Sequence, residues 1–581
     1  MTRSLWLRIV APALTALMVA SACGGGGGNG NTGNGGQLAA NQTLTFPIFG
    51  DFGTLDPGMI DAETDSEIAQ NLFDNLVIFD KNLKISPDIA SSWDVSSDGL
   101  TYTFHLRSDV TFSNGDKLTS KDVLYSWNRA AALQGGYAGN LSPIVGYKTV
   151  SANTKSGASL ESLLEAKDPS VTMSGLTAPD ANTVVAKLSA PAGWWLAAIA
   201  LESTTGAIVD VNAVKQNPDN WWTNPATLVG TGAYKATAYT PKQSIDFEAV
   251  PNWWGSPKPT IKKVHLDILQ NVASGITSYE QGHYDVVGFG GYSNLPVDQV
   301  RRIQNTANEK SQLVLHPKVR SYWVSFNVTC DATRPAKGPF CGNTAAAKAA
   351  RMAFILSVDK DAVVNVVCQN IVCKPITGGL IVKGLDGYLG DNQDPLSKFD
   401  AATAKQDLAT AKAAGLDFSN LTYYYDSSNP INGPTALALQ DQWNTNLGIK
   451  VNVQPRDHSP FIKARLKGSY VLSRDGWQAD YNNPQDWYDN LFARVAGCPD
   501  ANCTTGYNND AFNTLLTKAD TESGAQALTD YQSLGKMLED DAVYIPLYYT
   551  VGAFLFKSYV KNAGTNNFFD NYWNTMAILK H

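Results

Sequence analysis

An α/β chain whose lobes share strands is what this sequence predicts, and three observations carry the prediction. Alternating segments and helical segments are interleaved along its whole length, no repeat period appears, and no long linker follows residue 40. The 581 residues are 44% hydrophobic and 17% charged, enough apolar material for sizeable cores and far from a disordered composition. Length alone suggests about four domains, a count that lobes built from several chain crossings would lower.

The elements follow in order. Leu44 to Phe49 is an apolar run that predicts the first strand. Thr64 followed by Glu67 reads as a capping box, opening a helix that carries Ile68, Leu72 and Phe73. Ser97-Asp98-Gly99 is a turn, after which Tyr102, Phe104 and Leu106 alternate with Thr101, Thr103 and His105 as a half-buried strand. Asn114-Gly115 predicts a tight hairpin turn, and Thr119 with Asp122 caps a helix through Val123, Leu124, Trp127 and Ala131. Thr183 to Leu188 and Val264 to Leu269 alternate as strands. Ala345 to Val358, Ala401 to Ala414 and Pro434 to Leu447 read as helices, the last two stopped by Gly415 and Gly448.

The N-terminus sets the compartment. Arg3 and Arg8 precede a short apolar stretch, Ile9 to Ala20, and then Ala20-Ser21-Ala22-Cys23, the three-part layout of an export signal. The apolar stretch falls short of the ~20 residues a membrane span needs. Small residues before a cysteine resemble a bacterial lipobox, although Ala20 stands where leucine is commoner; residues 1–22 are then a lipoprotein signal peptide and Cys23 the lipidated residue. Gly24 to Gly36 holds nine glycines with only Asn and Thr between them, and residues 23–40 read as a tether reaching roughly 20–25 Å. The expectation is a protein lipid-anchored to the outer face of the cytoplasmic membrane, touching the membrane only through that anchor.

Six further cysteines fall in three close pairs: Cys330 with Cys341, Cys368 with Cys373, and Cys498 with Cys503. In an exported chain such pairs are most simply local disulfides, though proximity alone fixes no connectivity. A metal site would favour C-x-x-C spacing with histidine nearby, and no pair has that spacing. A net charge of −8 argues against a nucleic-acid partner, which needs a basic surface.

Nothing in the chain asks for catalysis. The six histidines, His105, His265, His283, His316, His458 and His581, include no i, i+4 pair, and P-loop and G-x-S-x-G patterns are absent. Gly230-Thr231-Gly232 is too short for a dinucleotide loop and reads as a turn. No cofactor or metal is expected. Aromatic residues are plentiful, with 14 Trp and 24 Tyr, several beside charges as in Arg474-Asp475-Gly476-Trp477-Gln478-Ala479-Asp480-Tyr481. Such side chains offer rigid apolar faces with a polar handle, the usual lining of a small-ligand site.

Glu67 to Val77 (EIAQNLFDNLV), Trp93 to Leu106 (WDVSSDGLTYTFHL) and Val110 to Trp127 (VTFSNGDKLTSKDVLYSW) are similar to consecutive signatures of one family. Gly230 to Lys235 (GTGAYK), Asn252-Trp253-Trp254, Arg351 to Asp361, Asp475 to Pro484 (DGWQADYNNP) and Ala542 to His581 continue the series in order. The chain thereby resembles the peptide/nickel/opine-type (family 5) substrate-binding proteins of ABC importers, from about residue 41 onward, most closely their oligopeptide-binding members.

That resemblance implies an α/β, two-lobed periplasmic-binding-protein fold (type II, cluster C) with an extra subdomain in the first lobe. By similarity, residues 41–77, 211–318 and 549–581 form lobe I, 78–210 the extra subdomain and 319–548 lobe II. It implies a monomeric, non-catalytic receptor that closes on a short peptide and presents it to a membrane permease. It also implies individual roles. Asp480 would meet the peptide's α-ammonium group and Arg474 its carboxylate. Tyr137 matches a cleft tyrosine of the extra subdomain, and Trp477 and Tyr481 would wall side-chain pockets. Asp426, and more weakly Asp65 and Arg465, stand at polar cleft positions. Asn483 replaces an acid of the close relatives, the cysteine pairs are not their pattern, and residues 138–176 align poorly. Three rival expectations remain: the same fold binding a metallophore, sugar or nucleoside, a surface-tethered hydrolase, and a peptide-sensing or adhesion lipoprotein that never meets a permease.

Overall fold

The structure is a computed structural model that describes residues 36–201, 203–288, 295–330, 334–493, 505–563, 568 and 571–581. Cys23, Cys498 and Cys503 lie outside the described residues.

Three large sheets organise the chain. The first has the spatial order Thr43–Phe49, Lys263–Leu269, Ser244–Ala249, Tyr234–Thr240, its first pair parallel. Leu44, Phe46 and Ile48 stand opposite Val264, Leu266 and Ile268, so period-2 alternation sends both sets into one core. Trp573, near the C-terminus, closes that core with its ring 5.0 Å from Phe247 and 6.0 Å from Phe46.

The second sheet is seven-stranded and mixed. Leu313–Phe326 and Tyr544–Phe556 run antiparallel at its centre, paired from Leu313 with Leu555 to Ser325 with Tyr544. Phe554 and Phe556 belong to the core of the first sheet, whereas Val324, Phe326, Ile545 and Leu547 belong to that of the second. These two strands therefore cross between lobes. Their pairing breaks register between Pro317 and Ser321 and again between Tyr322 and Trp323. The far part of the sheet is covered by helices that include Ala345–Leu356 and Asn432–Leu447, with Phe354 and Trp443 in ring contact at 5.4 Å. Gly448 ends the latter helix at φ +68°, the left-handed conformation expected of it, with its N–H donating to Asn444 O and Trp443 O.

The third sheet, Ala90–Val95, Thr101–Leu106, Thr183–Lys187, Leu176–Asp180, is antiparallel throughout. Tyr102, Phe104 and Leu106 face a core containing Trp127 and Trp195, the Tyr102 and Trp195 rings meeting edge-on at 4.8 Å. Trp127 comes from the helix Ser120–Leu133, which opens with the predicted Thr119/Asp122 capping box.

One helix departs from expectation. It spans Glu63–Ala69, two residues earlier than a Thr64 cap allows, with Ala62 at the N-cap and no side-chain cap. It also stops before Leu72 and Phe73. The Asn71 and Leu72 carbonyls accept from the N–H groups of Tyr234 and Gly232 at 3.0 and 2.9 Å, so the helical ladder ends there. Gly230 and Gly232 press so closely on this backbone that a Cβ on either would collide with it. The Gly-Thr-Gly segment is thus a packing turn.

A buried ion pair ties the loop after the strand Thr43–Phe49 to the helix Ser120–Leu133. Arg129 donates to both Asp56 oxygens at 2.8 and 2.6 Å, and Trp221 Nε1 donates to Asp56 Oδ2 at 3.0 Å. Burial would raise the Asp56 carboxyl, but the Arg129 charge and these hydrogen bonds outweigh it and hold it below its ordinary range. Its contribution is therefore present above that range and is lost as pH falls through the lowered value. Asp56→Ala should cost about 3 kcal/mol in chemical denaturation, the lower end for a broken buried pair because Glu161 remains 3.8 Å from Arg129. A loss below about 1 kcal/mol would show that this pair does not hold the seam.

Candidate functional site

The strand Leu472–Gln478 lies beside Leu313–Phe326 and carries the chain toward the helix Gln485–Leu491. Alternation along it separates Arg474 from Asp475. Asp475 is fully buried, where Arg465 donates to its Oδ1 and Ser325 Oγ to its Oδ2 at 2.7 Å. Arg474 points the other way, its guanidinium carbon 4.4 Å from the centre of the Tyr322 ring. Tyr322 in turn contacts the Tyr548 ring at 5.3 Å and accepts from Asn429 Nδ2 at 3.2 Å. Burial works against the Arg474 charge, yet Tyr322 and Asp475 hold its pKa up. Its Nε is buried without a hydrogen-bond partner, and no carboxylate of the described residues lies within salt-bridge distance of it.

Beyond the strand, Asp480 is held between a hydrogen-bond donor, Tyr137, and an acceptor, Asp486. Tyr137 Oη donates to its Oδ1 at 3.3 Å, and its own backbone N–H donates to Asp486 Oδ2 at 3.0 Å. Trp477 Nε1 reaches the same Asp486 oxygen at 3.1 Å. Burial pushes the Asp480 carboxyl up to about 7, only partly opposed by the Tyr137 and Asp486 hydrogen bonds. Burial and then the Asp480 charge push Asp486 well above the usual carboxylate range. Tyr481 donates to Gln485 Oε1, and Gln485 Nε2 donates to Asp489 Oδ2 at 2.6 Å. Asp489 neighbours Asp520, which burial and then the Asp489 charge push up to about 8.

The core of the third sheet meets the segment that follows Leu472–Gln478 here. The Tyr481 ring packs in the core of the third sheet, Asn482 Nδ2 donates to Leu83 O at 3.3 Å, and Gly193 N–H donates to Asp520 O at 2.9 Å.

Of the residues singled out from sequence, Tyr137, Trp477, Asp480 and Tyr481 are brought together in this constellation. Arg474 lies further back on the same strand. Asp426 is buried and bound to His458 Nδ1 at 2.6 Å and to the Ser428 N–H at 2.8 Å; burial raises its carboxyl, but these bonds outweigh burial and hold it below the ordinary range. Arg465 is committed to Asp475. Asp65 accepts from the backbone N–H groups of Gly53 and Thr54, and burial pushes it up to about 6. Both organise backbone and strand around the site.

Sequence reasoning did not single out Glu63, Lys318, Arg320 or Asp486. Glu63 opens its helix and faces Lys318 and Arg320 of the crossing strand, each at 3.3 Å. The sulfur atoms of Cys330 and Cys341, and of Cys368 and Cys373, lie within bonding distance. Among the described residues no cluster of His, Cys, Asp and Glu could hold a metal ion, and no helix is long and apolar enough to cross a membrane.

Residues 84–497 match the family described as bacterial extracellular solute-binding proteins, family 5, middle region. The chain belongs to that family. It is accordingly a two-lobed α/β solute-binding receptor, not an enzyme. The periplasmic oligopeptide-binding protein OppA of Salmonella typhimurium is 27% identical over 99% of this chain and 98% of its own. The periplasmic murein peptide-binding protein MppA of Escherichia coli is 24% identical over 94% and 95%. Among solved structures, the unliganded open form of MppA superposes with a TM-score of 0.75 at 24% identity, covering 94% of this chain and 99% of that one. OppA of Burkholderia pseudomallei gives 0.70 at 23% identity, with 94% and 100% covered.

Tyr137→Phe removes the hydrogen bond that favours ionised Asp480. The Asp480 carboxyl should then titrate above about 7, as followed by carboxyl-carbon NMR. A midpoint that does not move would sever this contact from the site's electrostatics.

Proposed function

We propose that this receptor captures short peptides by their two charged ends and delivers them to an ABC permease. One observation carries the reading. A half-buried carboxyl, Asp480, has no lysine or arginine of the described residues in salt-bridge distance, and a half-buried guanidinium, Arg474, whose Nε is enclosed, has no carboxylate. Unpaired half-buried charges of opposite sign, six positions apart in the chain, suit a ligand that brings an ammonium group to one and a carboxylate to the other. A zwitterionic peptide does that. Between the ends the peptide would lie extended, its backbone hydrogen-bonded and its side chains in pockets walled by Trp477 and Tyr481. Asp426 sits near the Arg465 end of the same region and would tune the carboxylate side. The family membership and the peptide-binding titles of OppA and MppA support this choice over a metallophore, sugar or nucleoside.

The mature chain would begin at Cys23, lipidated and tethered through residues 23–40 to the outer face of the cytoplasmic membrane. The body would act as a monomer, with lobe I at residues 41–77, 211–318 and 549–581, the extra subdomain at 78–210 and lobe II at 319–548. Disulfides at Cys330–Cys341, Cys368–Cys373 and Cys498–Cys503 would suit that compartment.

Titration calorimetry with trialanine and its N-acetyl form tests the anchor. Acetylation, or Asp480→Asn, should cut affinity by about 2 kcal/mol or more, roughly thirtyfold, with folding intact. Equal affinity for the two ligands would overturn the peptide reading. Cys23→Ser should move the chain from the membrane fraction to the soluble fraction of cells, and continued membrane association would rule out the lipid anchor.

A further inference from the structure

Asp486 is fully buried in the first turn of the helix Gln485–Leu491, nine residues beyond Trp477 in the chain. Its Oδ2 takes two donors at once, the Trp477 indole N–H at 3.1 Å and the Asp480 backbone N–H at 3.0 Å. Its Oδ1 accepts from Asn490 Nδ2 at 3.3 Å. One carboxyl thus joins the wall of the site to its anchor.

We propose that Asp486 is a positioning residue of the ammonium anchor: it fixes Trp477 and Asp480 in one geometry and holds them there while Asp480 exchanges its proton for the ligand's ammonium group. The inference rests on the reading of Asp480 as that anchor.

The geometry supplies the argument. Losing Asp486 would leave two buried N–H groups unpaired and free the segment between Trp477 and Asp480 to move. The groups facing the pair are Tyr137, Tyr481 on the same segment as Asp480, and Asp489 with Asp520 beyond Gln485. Glu63 also acts on Tyr137, but it is itself engaged by Lys318 and Arg320. No cation of the described residues forms an ion pair with either carboxyl. Burial raises both acids and the Asp480 charge raises Asp486 further, so Asp486 keeps its proton near neutrality and Asp480 holds one below about pH 7. An incoming ammonium group, itself charged below about pH 8, replaces that proton, which leaves to solvent. The direction follows: a group whose proton is released on binding gives an affinity that rises with pH while Asp480 still holds the proton, here between about pH 6 and 8.

Calorimetry of the full chain with trialanine at pH 6, 7 and 8, repeated in buffers of different ionisation enthalpy, tests this. The wild type should gain up to about tenfold in affinity per pH unit and release close to one proton. Asp486→Asn keeps two acceptor contacts but removes the second acid. It should keep the wild-type pH slope, because burial and not the second acid raises Asp480, and lose no more than about threefold in affinity, whereas Asp486→Leu, which removes the acceptors, should lose roughly tenfold or more. Trp477→Phe removes the indole N–H together with part of the ring; it should lose roughly tenfold in affinity while retaining the wild-type pH slope. Wild-type affinity in Asp486→Leu, with Asp480→Asn still defective, overturns the inference and leaves the anchor standing. If Asp486→Leu does not fold by thermal unfolding, Trp477→Phe decides, and wild-type affinity there overturns the positioning role. Wild-type binding by Asp480→Asn would instead overturn the reading on which the inference rests.

Discussion

The ladder between Leu313–Phe326 and Tyr544–Phe556 is the constraint on which the rest of this structure depends. Backbone hydrogen bonds pair segments more than 200 residues apart and carry each strand from one hydrophobic core into another. Glu63 meets Lys318 and Arg320 on one of these strands, and the strand bearing Arg474 pairs with its far half. The two register breaks fall around residues 317–323, between the part that belongs to the first lobe and the part that belongs to the second. Irregular pairing at a crossing leaves fewer regular hydrogen bonds to resist bending there than elsewhere in the sheet.

Charge is arranged around that frame by a simple rule. Where an acid and a base are both needed for structure they are paired, as in Asp56 with Arg129 and Asp475 with Arg465. Where the site opens, acids gather with acids and Arg474 rests against an aromatic face. Such an arrangement costs stability, since buried like charges must hold protons or find a counter-charge. Proteins commonly carry costs of this kind where they bind.

Much of the fold was legible in the sequence because its signals were local. The alternation of Tyr102, Phe104 and Leu106 and the Thr119/Asp122 capping box needed no tertiary context, and Gly448 announced its own helix end. The helix at Glu63–Ala69 was misjudged because tertiary partners decide its limits: carbonyls at Asn71 and Leu72 are claimed by a strand 160 residues away. Alternation alone says that Arg474 and Asp475 face opposite ways, but not which of them faces the core. The resemblance supplied Asp480, whereas Asp486 was hidden because its partners are the Trp477 indole and a backbone N–H, neither visible as a motif.

The long ladder also dictates when this protein can become itself. Residues 544–581 supply a central strand to the second sheet, and Phe554, Phe556 and Trp573 to the core of the first. An emerging chain that lacks them can form the local hairpins and the helix Ser120–Leu133, but neither lobe is complete. Pairings of such long sequence separation are slow to form and leave apolar surface uncovered while they are awaited. For a receptor of an extracellular solute-binding family this delay has a consequence: the segment delivered after most of the chain is the one that commits both cores.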